Sequence, residues 1–227
     1  MRTIRMRIGG PGVAALALLA LAGLRGVPAQ ADTETVDGVT YTFSVLGSEA
    51  EIGIGDWWPP AIDPETSGNL VIPSTLGGYP VTAIGDYAFN WCQNLTSVTI
   101  PSGVTTIGVN AFEGCSALVT VDIPASVVRV GTGAFMNCTM LGSAALPDAL
   151  EIVNDSLFYN SGLTNIVFGT GVREIRAYAF GYCPYLKAAT LPAGVTNIAP
   201  QAFVNCGSLK TLTLPVGLQA IGYGAFW

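Results

Sequence analysis

Histidine is absent from all 227 residues. That absence excludes Ser-His-Asp and Cys-His nucleophilic arrangements and any zinc site held by imidazole. Charge is also scarce: half of the residues are apolar and only 11% are Asp, Glu, Lys or Arg. A chain so composed stays soluble only if its apolar positions are regimented into one continuous core. Basic residues are fewest of all, because four of the nine (Arg2, Arg5, Arg7, Arg25) fall within the first 31 positions. Residues 32–227 then hold five basic against fifteen acidic side chains, a net charge of −10, which excludes nucleic acid as a natural partner. No CxxC pair occurs, and the apolar run Val13–Leu24 has 12 residues, well short of the roughly 20 that span a bilayer.

That run follows Arg2, Arg5 and Arg7 and precedes Pro28-Ala29-Gln30-Ala31, the layout of a secretory leader over residues 1–31, cleaved before Asp32. The expected product is exported, with no membrane span. Eight acids (Asp32, Glu34, Asp37, Glu49, Glu51, Asp56, Asp63, Glu65) precede Ser67 with no basic residue among them, and they read as a solvated acidic end.

What is present in abundance is repetition. Phe89, Phe112, Phe135, Phe158, Phe180, Phe203 and Phe226 are spaced 23, 23, 23, 22, 23 and 23 residues apart, the period of a solenoid. Each unit opens on an LxxVxI set such as Leu95, Val98 and Ile100, whose last three positions alternate inward and outward as a half-buried strand should. The outward slot, Thr99, Asp122, Ala145, Val167, Thr190 and Thr213, forms one column on the exposed face. A proline usually follows and ends the strand, with Gly169 replacing it in one unit. A second short apolar pair comes next, for example Val104 and Ile107, then often a glycine (Gly85, Gly108, Gly131, Gly222) at a bend consistent with positive φ, although Asn154, Arg176 and Ala199 in the same slot mean that glycine is not strictly demanded. The Ala-Phe step and a cysteine three residues later predict a tight helical or 3-10 turn. One unit lacks a residue between Ser161 and Leu163, where a kink is expected.

The recurring sentence IPxxVTxIGxxAFxxCxxLxxV resembles the BspA-like leucine-rich repeats of bacterial surface proteins, over about Leu70 to Trp227. The resemblance implies a repeat solenoid, a right-handed leucine-rich-repeat coil of short parallel β-strands. It also implies display outside the cell and a role in adhesion or recognition of an extracellular protein or glycan. Ahead of the repeats, Val39, Tyr41, Phe43 and Val45, then Ala50, Ile52 and Ile54, alternate with polar residues and predict a β-strand N-terminal cap within residues 32–69. The repeats fill residues 70–227 as about seven coils, the last stopping in mid-repeat at Trp227. A longer parent protein is the expectation there, a raw last coil the alternative.

Cys92, Cys115, Cys138, Cys183 and Cys206 share one slot, with Ser161 in the odd unit. Equivalent side chains of stacked coils point the same way, so a buried thiol ladder is expected in place of disulfides or metal ligands. The carboxylates Glu49, Glu51, Asp56 and Asp63 lie close in sequence but at no defined separation, so no catalytic residue, cofactor or metal is assigned and an enzyme is not expected. Partner-binding candidates are Trp57 and Trp58 in a Pro-rich loop, for which a plug over the open end of the first coil is the favoured alternative, the strand-face residues Thr99, Asp122, Thr190 and Thr213, and Tyr178 and Tyr182 on the turn edge. The competing view of the whole chain is a structural spacer that binds nothing itself.

Overall fold

The computed structural model describes residues 31–55 and 59–227. The expected leader, apart from Ala31, and the Trp57-Trp58 pair lie outside the described residues. Three cap strands come first: β1 (Asp32–Val36), β2 (Val39–Leu46) and β3 (Glu49–Ile52), joined as an antiparallel meander. Tyr41, Phe43, Ala50 and Ile52 turn inward and are buried, so the alternation read from sequence covers the end of the core. The strand β1 carries no such pattern and escaped that reading.

Seven coils follow. The first holds β4 (Gly68–Val71), β5 (Thr75–Leu76) and β6 (Tyr79–Ile84), the second β7 (Leu95–Thr99) and β8 (Thr106–Ile107), the third β9 (Thr120–Asp122) and β10 (Arg129–Val130). The fourth has β11 (Ser143–Ala145) and β12 (Ile152–Val153), the fifth β13 (Asn165–Val167) and β14 (Glu174–Ile175). The sixth has β15 (Ala188–Thr190) and β16 (Asn197–Ile198), the seventh β17 (Thr211–Thr213) and β18 (Ala220–Ile221). Leading strands pair in parallel with leading strands, second strands with second strands, and β3 of the cap pairs in parallel with β6. The cap thus supplies the rung the first coil would otherwise lack.

Inside, the phenylalanines form one file. Successive rings stack 4.9–5.6 Å apart with interplanar angles of 4–20°. All but the last are buried, and Phe226 is 42% exposed on the seventh coil. Because one coil cannot bury its own apolar side, the stability of each depends on contact with its neighbours.

The turn around each Phe is not helical, contrary to the expectation of a helical or 3-10 turn. The residues two before and two after Phe have φ between +51° and +71°, as at Asn110 and Gly114 or Gly133 and Asn137. A left-handed residue ends any right-handed helix. The N–H groups of these residues and of Phe itself are donated to the next coil, as in Tyr87 N to Val109 O (2.9 Å), Phe89 N to Ala111 O (2.7 Å) and Trp91 N to Glu113 O (2.7 Å). The turns are therefore a third hydrogen-bonded face.

The glycines at the bend also differ from expectation. None of Gly85, Gly108, Gly131 and Gly222 has positive φ. They are small because the preceding coil lies against them: a Cβ on Gly108 would approach Gly85 C and Asp86 N to 2.5 Å.

The expected kink at the short unit does not form there. Both β11–β13 and β12–β14 pairings cross that joint, and Phe158 and Phe180 stay stacked at 5.6 Å. The ladders part elsewhere, between β13 and β15 on the leading face and between β10 and β12 on the second face.

Candidate interaction surface

The strand-face candidates Thr99, Asp122, Thr190 and Thr213 are all exposed. Parallel pairing sets Thr99 beside Asp122 and Thr190 beside Thr213. The two pairs belong to separate sheets, because the leading ladder ends at β13. These positions are hydroxyl-rich, with Asp122 the one charge among the four.

Tyr178 and Tyr182 are brought together with a third ring that sequence reasoning missed. Tyr159, from the fourth coil, lies 5.1 Å from Tyr182 and 6.2 Å from Tyr178, ring centre to ring centre. The three line a concave pocket of about 350 Å³ with Met136, Ser156, Gln201 and Val204. The Tyr178 hydroxyl and Gln201 Oε1 are hydrogen-bonded across coils. Gly181 keeps the space open: a Cβ there would meet Tyr159 and Val204 at 3.2 Å and Tyr178 at 3.4 Å. Partial burial pushes the Tyr159 phenol up, with Tyr182 and then Tyr178 adding to the effect. The signal that could have exposed Tyr159, Gln201 and Val204 is their offset from the ruler phenylalanines, since they stand one after or two before Phe, within the turn.

Two of these rings sit on unusual backbone. Tyr178 and Tyr182 both have φ of 57°. Bulky side chains avoid that region, which favours Gly and Asn. Asn110, Gly114, Gly133, Asn137, Asn160, Asn205 and Gly224 fill equivalent slots in other coils. Tyr87 and Trp91 (both 58°) share the anomaly. The Trp91 ring has a structural explanation, for it covers Gly114, whose Cβ would touch it at 2.8 Å.

Of the acids weighed for glycoside chemistry, Asp56 lies outside the described residues and the other three are engaged separately. Glu49 accepts a hydrogen bond from Thr82 (3.0 Å), and Asp63 holds the Glu65 backbone (2.9 Å). Burial, and then the Asp86 carboxylate, push the Glu51 carboxyl up. Among the described residues no group of His, Cys, Asp or Glu is placed to hold a metal ion.

This stacked geometry coincides with a known sequence family: the BspA-type leucine-rich repeat model matches residues 68–187 and 173–227, with six copies. The chain belongs to that family. Its fold is shared by the crystal structure of the T. pallidum leucine-rich repeat protein TpLRR, 28% identical over 81% of this chain and 83% of that one, with a TM-score of 0.72. A leucine-rich cell surface protein from Faecalibacterium prausnitzii A2-165 is 27% identical over 80% of this chain, with a TM-score of 0.54. The pneumococcal vaccine antigen PcpA, 22% identical over 82% of this chain with a TM-score of 0.60, shares the fold alone. The chain spans about half the length of the latter two, 54% and 50%. No curated protein matches by sequence.

Proposed function

We propose that the chain is an exported interaction protein that engages an extracellular protein or glycan through the tyrosine pocket of its turn face. The reading rests above all on Tyr178 and Tyr182, whose left-handed backbone costs on the order of 1–3 kcal/mol each for a bulky residue. Glycine or asparagine does the same folding work elsewhere at lower cost. Rings held there, concave and partly exposed, offer the rigid amphipathic surface that anchors a partner side chain or stacks on a sugar. Export agrees with the leader-like residues 1–31 and with the F. prausnitzii relative being a cell surface protein.

The test is a glycan and matrix-protein binding array with residues 32–227, run beside Y178N/Y182N and W57A/W58A. Because asparagine suits left-handed φ, Y178N/Y182N is expected to keep the fold. Binding by the wild type and W57A/W58A that falls at least about tenfold in Y178N/Y182N is the expected result. Full binding by Y178N/Y182N overturns the assignment, and loss in W57A/W58A alone moves the site to the Pro-rich loop.

A further inference from the structure

The second-strand ladder is held by two rungs flanking each strand. One joins Thr105 N to Thr82 O (2.8 Å), and recurs as Val128 N to Thr105 O, Arg173 N to Glu151 O, Thr196 N to Arg173 O and Gln219 N to Thr196 O, all 2.8–2.9 Å. The other joins Gly108 N to Ile84 O (2.8 Å), and recurs at Gly131, Arg176, Ala199 and Gly222. Between the third and fourth coils neither forms among the described residues. Glu151 N does not reach Val128 O and Asn154 N does not reach Val130 O, and β10 and β12 do not pair.

Asn154 stands at the opening, although a side chain in its slot does not by itself open the ladder, for Arg176 and Ala199 fill that slot in the next two coils with the ladder closed. Asn154 occupies the bend slot that is glycine in each of the three coils before it, where a Cβ on Gly131 would approach Gly108 C and Val109 N to 2.5 Å. The coil steps away, and the Asn154 side chain takes the place of its own backbone: Nδ2 donates to Val130 O at 2.7 Å, while Oδ1 accepts from Arg176 at 3.1 Å. The stack stays closed on the turn face, where Phe135 N donates to Leu157 O at 2.9 Å. A wedge results, open on the second face.

A groove of about 700 Å³ runs along the second face from Asp86 and Thr106 to Arg176 and takes in the wedge, where Val128, Arg129, Glu151, Ile152 and Asn154 line it. Two features speak to its occupant. Val128 O and the N–H groups of Glu151 and Asn154 are left without the ladder partners their equivalents have, so the walls carry an acceptor and donors in strand spacing. Arg129 is the first basic residue after Arg25 and makes no ion pair among the described residues, while Arg176 meets Glu174 at 3.6 Å. Asp86 also lines the groove but is tied to Val109 N at 2.6 Å. The walls β10 and β12 are two residues long each, room for two or three residues of an extended chain at about 3.3 Å per residue.

We propose that this wedge binds the C-terminal end of an extended peptide, which pairs edge-on with the open ladder and sets its terminal carboxylate against Arg129 and Asn154 N–H. Strand pairing supplies main-chain hydrogen bonds and an arginine captures the carboxylate, two recurring modes of peptide recognition joined at one place. The site is independent of the tyrosine pocket, and Y178N/Y182N leaves it intact.

Fluorescence anisotropy tests it with a labelled peptide of alternating valine and threonine, carrying a free C-terminal carboxylate or an amide, and with a labelled oligo-uronate. N154G restores the residue of the preceding coils and is expected to close the wedge, with the amides of residues 151 and 154 becoming protected from hydrogen exchange. R129Q, on an exposed side chain, leaves the fold as it is. Saturable binding of the free-carboxylate peptide, weakened about tenfold or more by amidation, by N154G and by R129Q, is expected. No saturation at millimolar peptide, equal binding of the amide, binding unchanged in N154G or R129Q, or preference for the uronate would each overturn the proposal.

Discussion

Cysteine occupies the slot three residues after Phe in five coils, and its thiol has a defined task. Cys115, Cys138, Cys183 and Cys206 each donate to the carbonyl of the Phe in the coil before, at 3.0–3.2 Å. Ser161 keeps a polar hydrogen in the same place and meets Cys183 Sγ at 3.3 Å. Burial pushes the Cys92 and Cys206 thiols from 9.0 up to about 12, with Asp63 adding to the first and Cys183 to the second. A thiol that ionises more readily unfolded than folded stabilises the fold fully below pH 9, and that contribution drains away as pH rises toward 12. The midpoint of urea unfolding is therefore expected to fall steadily across that window, with Tyr41, also raised to about 12 by burial and then Asp37, acting in the same direction. A flat midpoint would contradict it. The thiol ladder was legible in sequence because regular spacing on a stack forces parallel side chains. Its carbonyl partners were not, since they belong to the previous coil. Positive φ was expected at the bend glycines and occurs at tyrosines, because strain at Tyr178 and Tyr182 leaves no mark in composition.

At the scale of the element, the unit of stability is the joint between coils. Phe135 is buried between two rings at 5.3 and 5.6 Å, whereas Phe226 has a neighbour on one side at 5.6 Å and is 42% exposed. Truncating Phe135 to Ala should cost about 3–5 kcal/mol, and Phe226 to Ala a good deal less, about 1–2. Denaturant titration of the two variants checks the difference, and equal losses would deny the file its role. Strands were readable from period-two burial, but the turn was misread. Its apolar Phe and Cys lie three apart, as on a helix, while the residues that forbid a helix include Tyr, Trp, Ser and Gln, none a usual left-handed former. The short unit misled for a related reason: the lost residue falls in the link between Ser161 and Leu163, outside both ladders, so the loop absorbs it.

For the molecule as a whole, the stack separates its charges. All eleven acids from Asp32 to Asp122 precede Arg129, and all five basic residues after the leader-like segment lie from Arg129 onward beside four acids. The capped end is thus strongly acidic and the other end close to neutral, a field that orients charged partners before contact. Solenoid, cap and family were open to inspection in the sequence because each coil repeats the same solution. The tyrosine pocket and the wedge were not, since each arises from residues about 22 or 23 positions apart on different coils, where one departure from the repeat changes the surface. The claim beneath all of this is that side chains at this interval meet in one interior file. Nuclear Overhauser spectra of protein protonated only at its phenylalanine rings test it most directly. Cross-peaks should link Phe89 to Phe112, Phe112 to Phe135 and so on in order to Phe226, each ring seeing its neighbours in the file and no other of the seven. Missing links, or contacts that skip a coil, would contradict the stack.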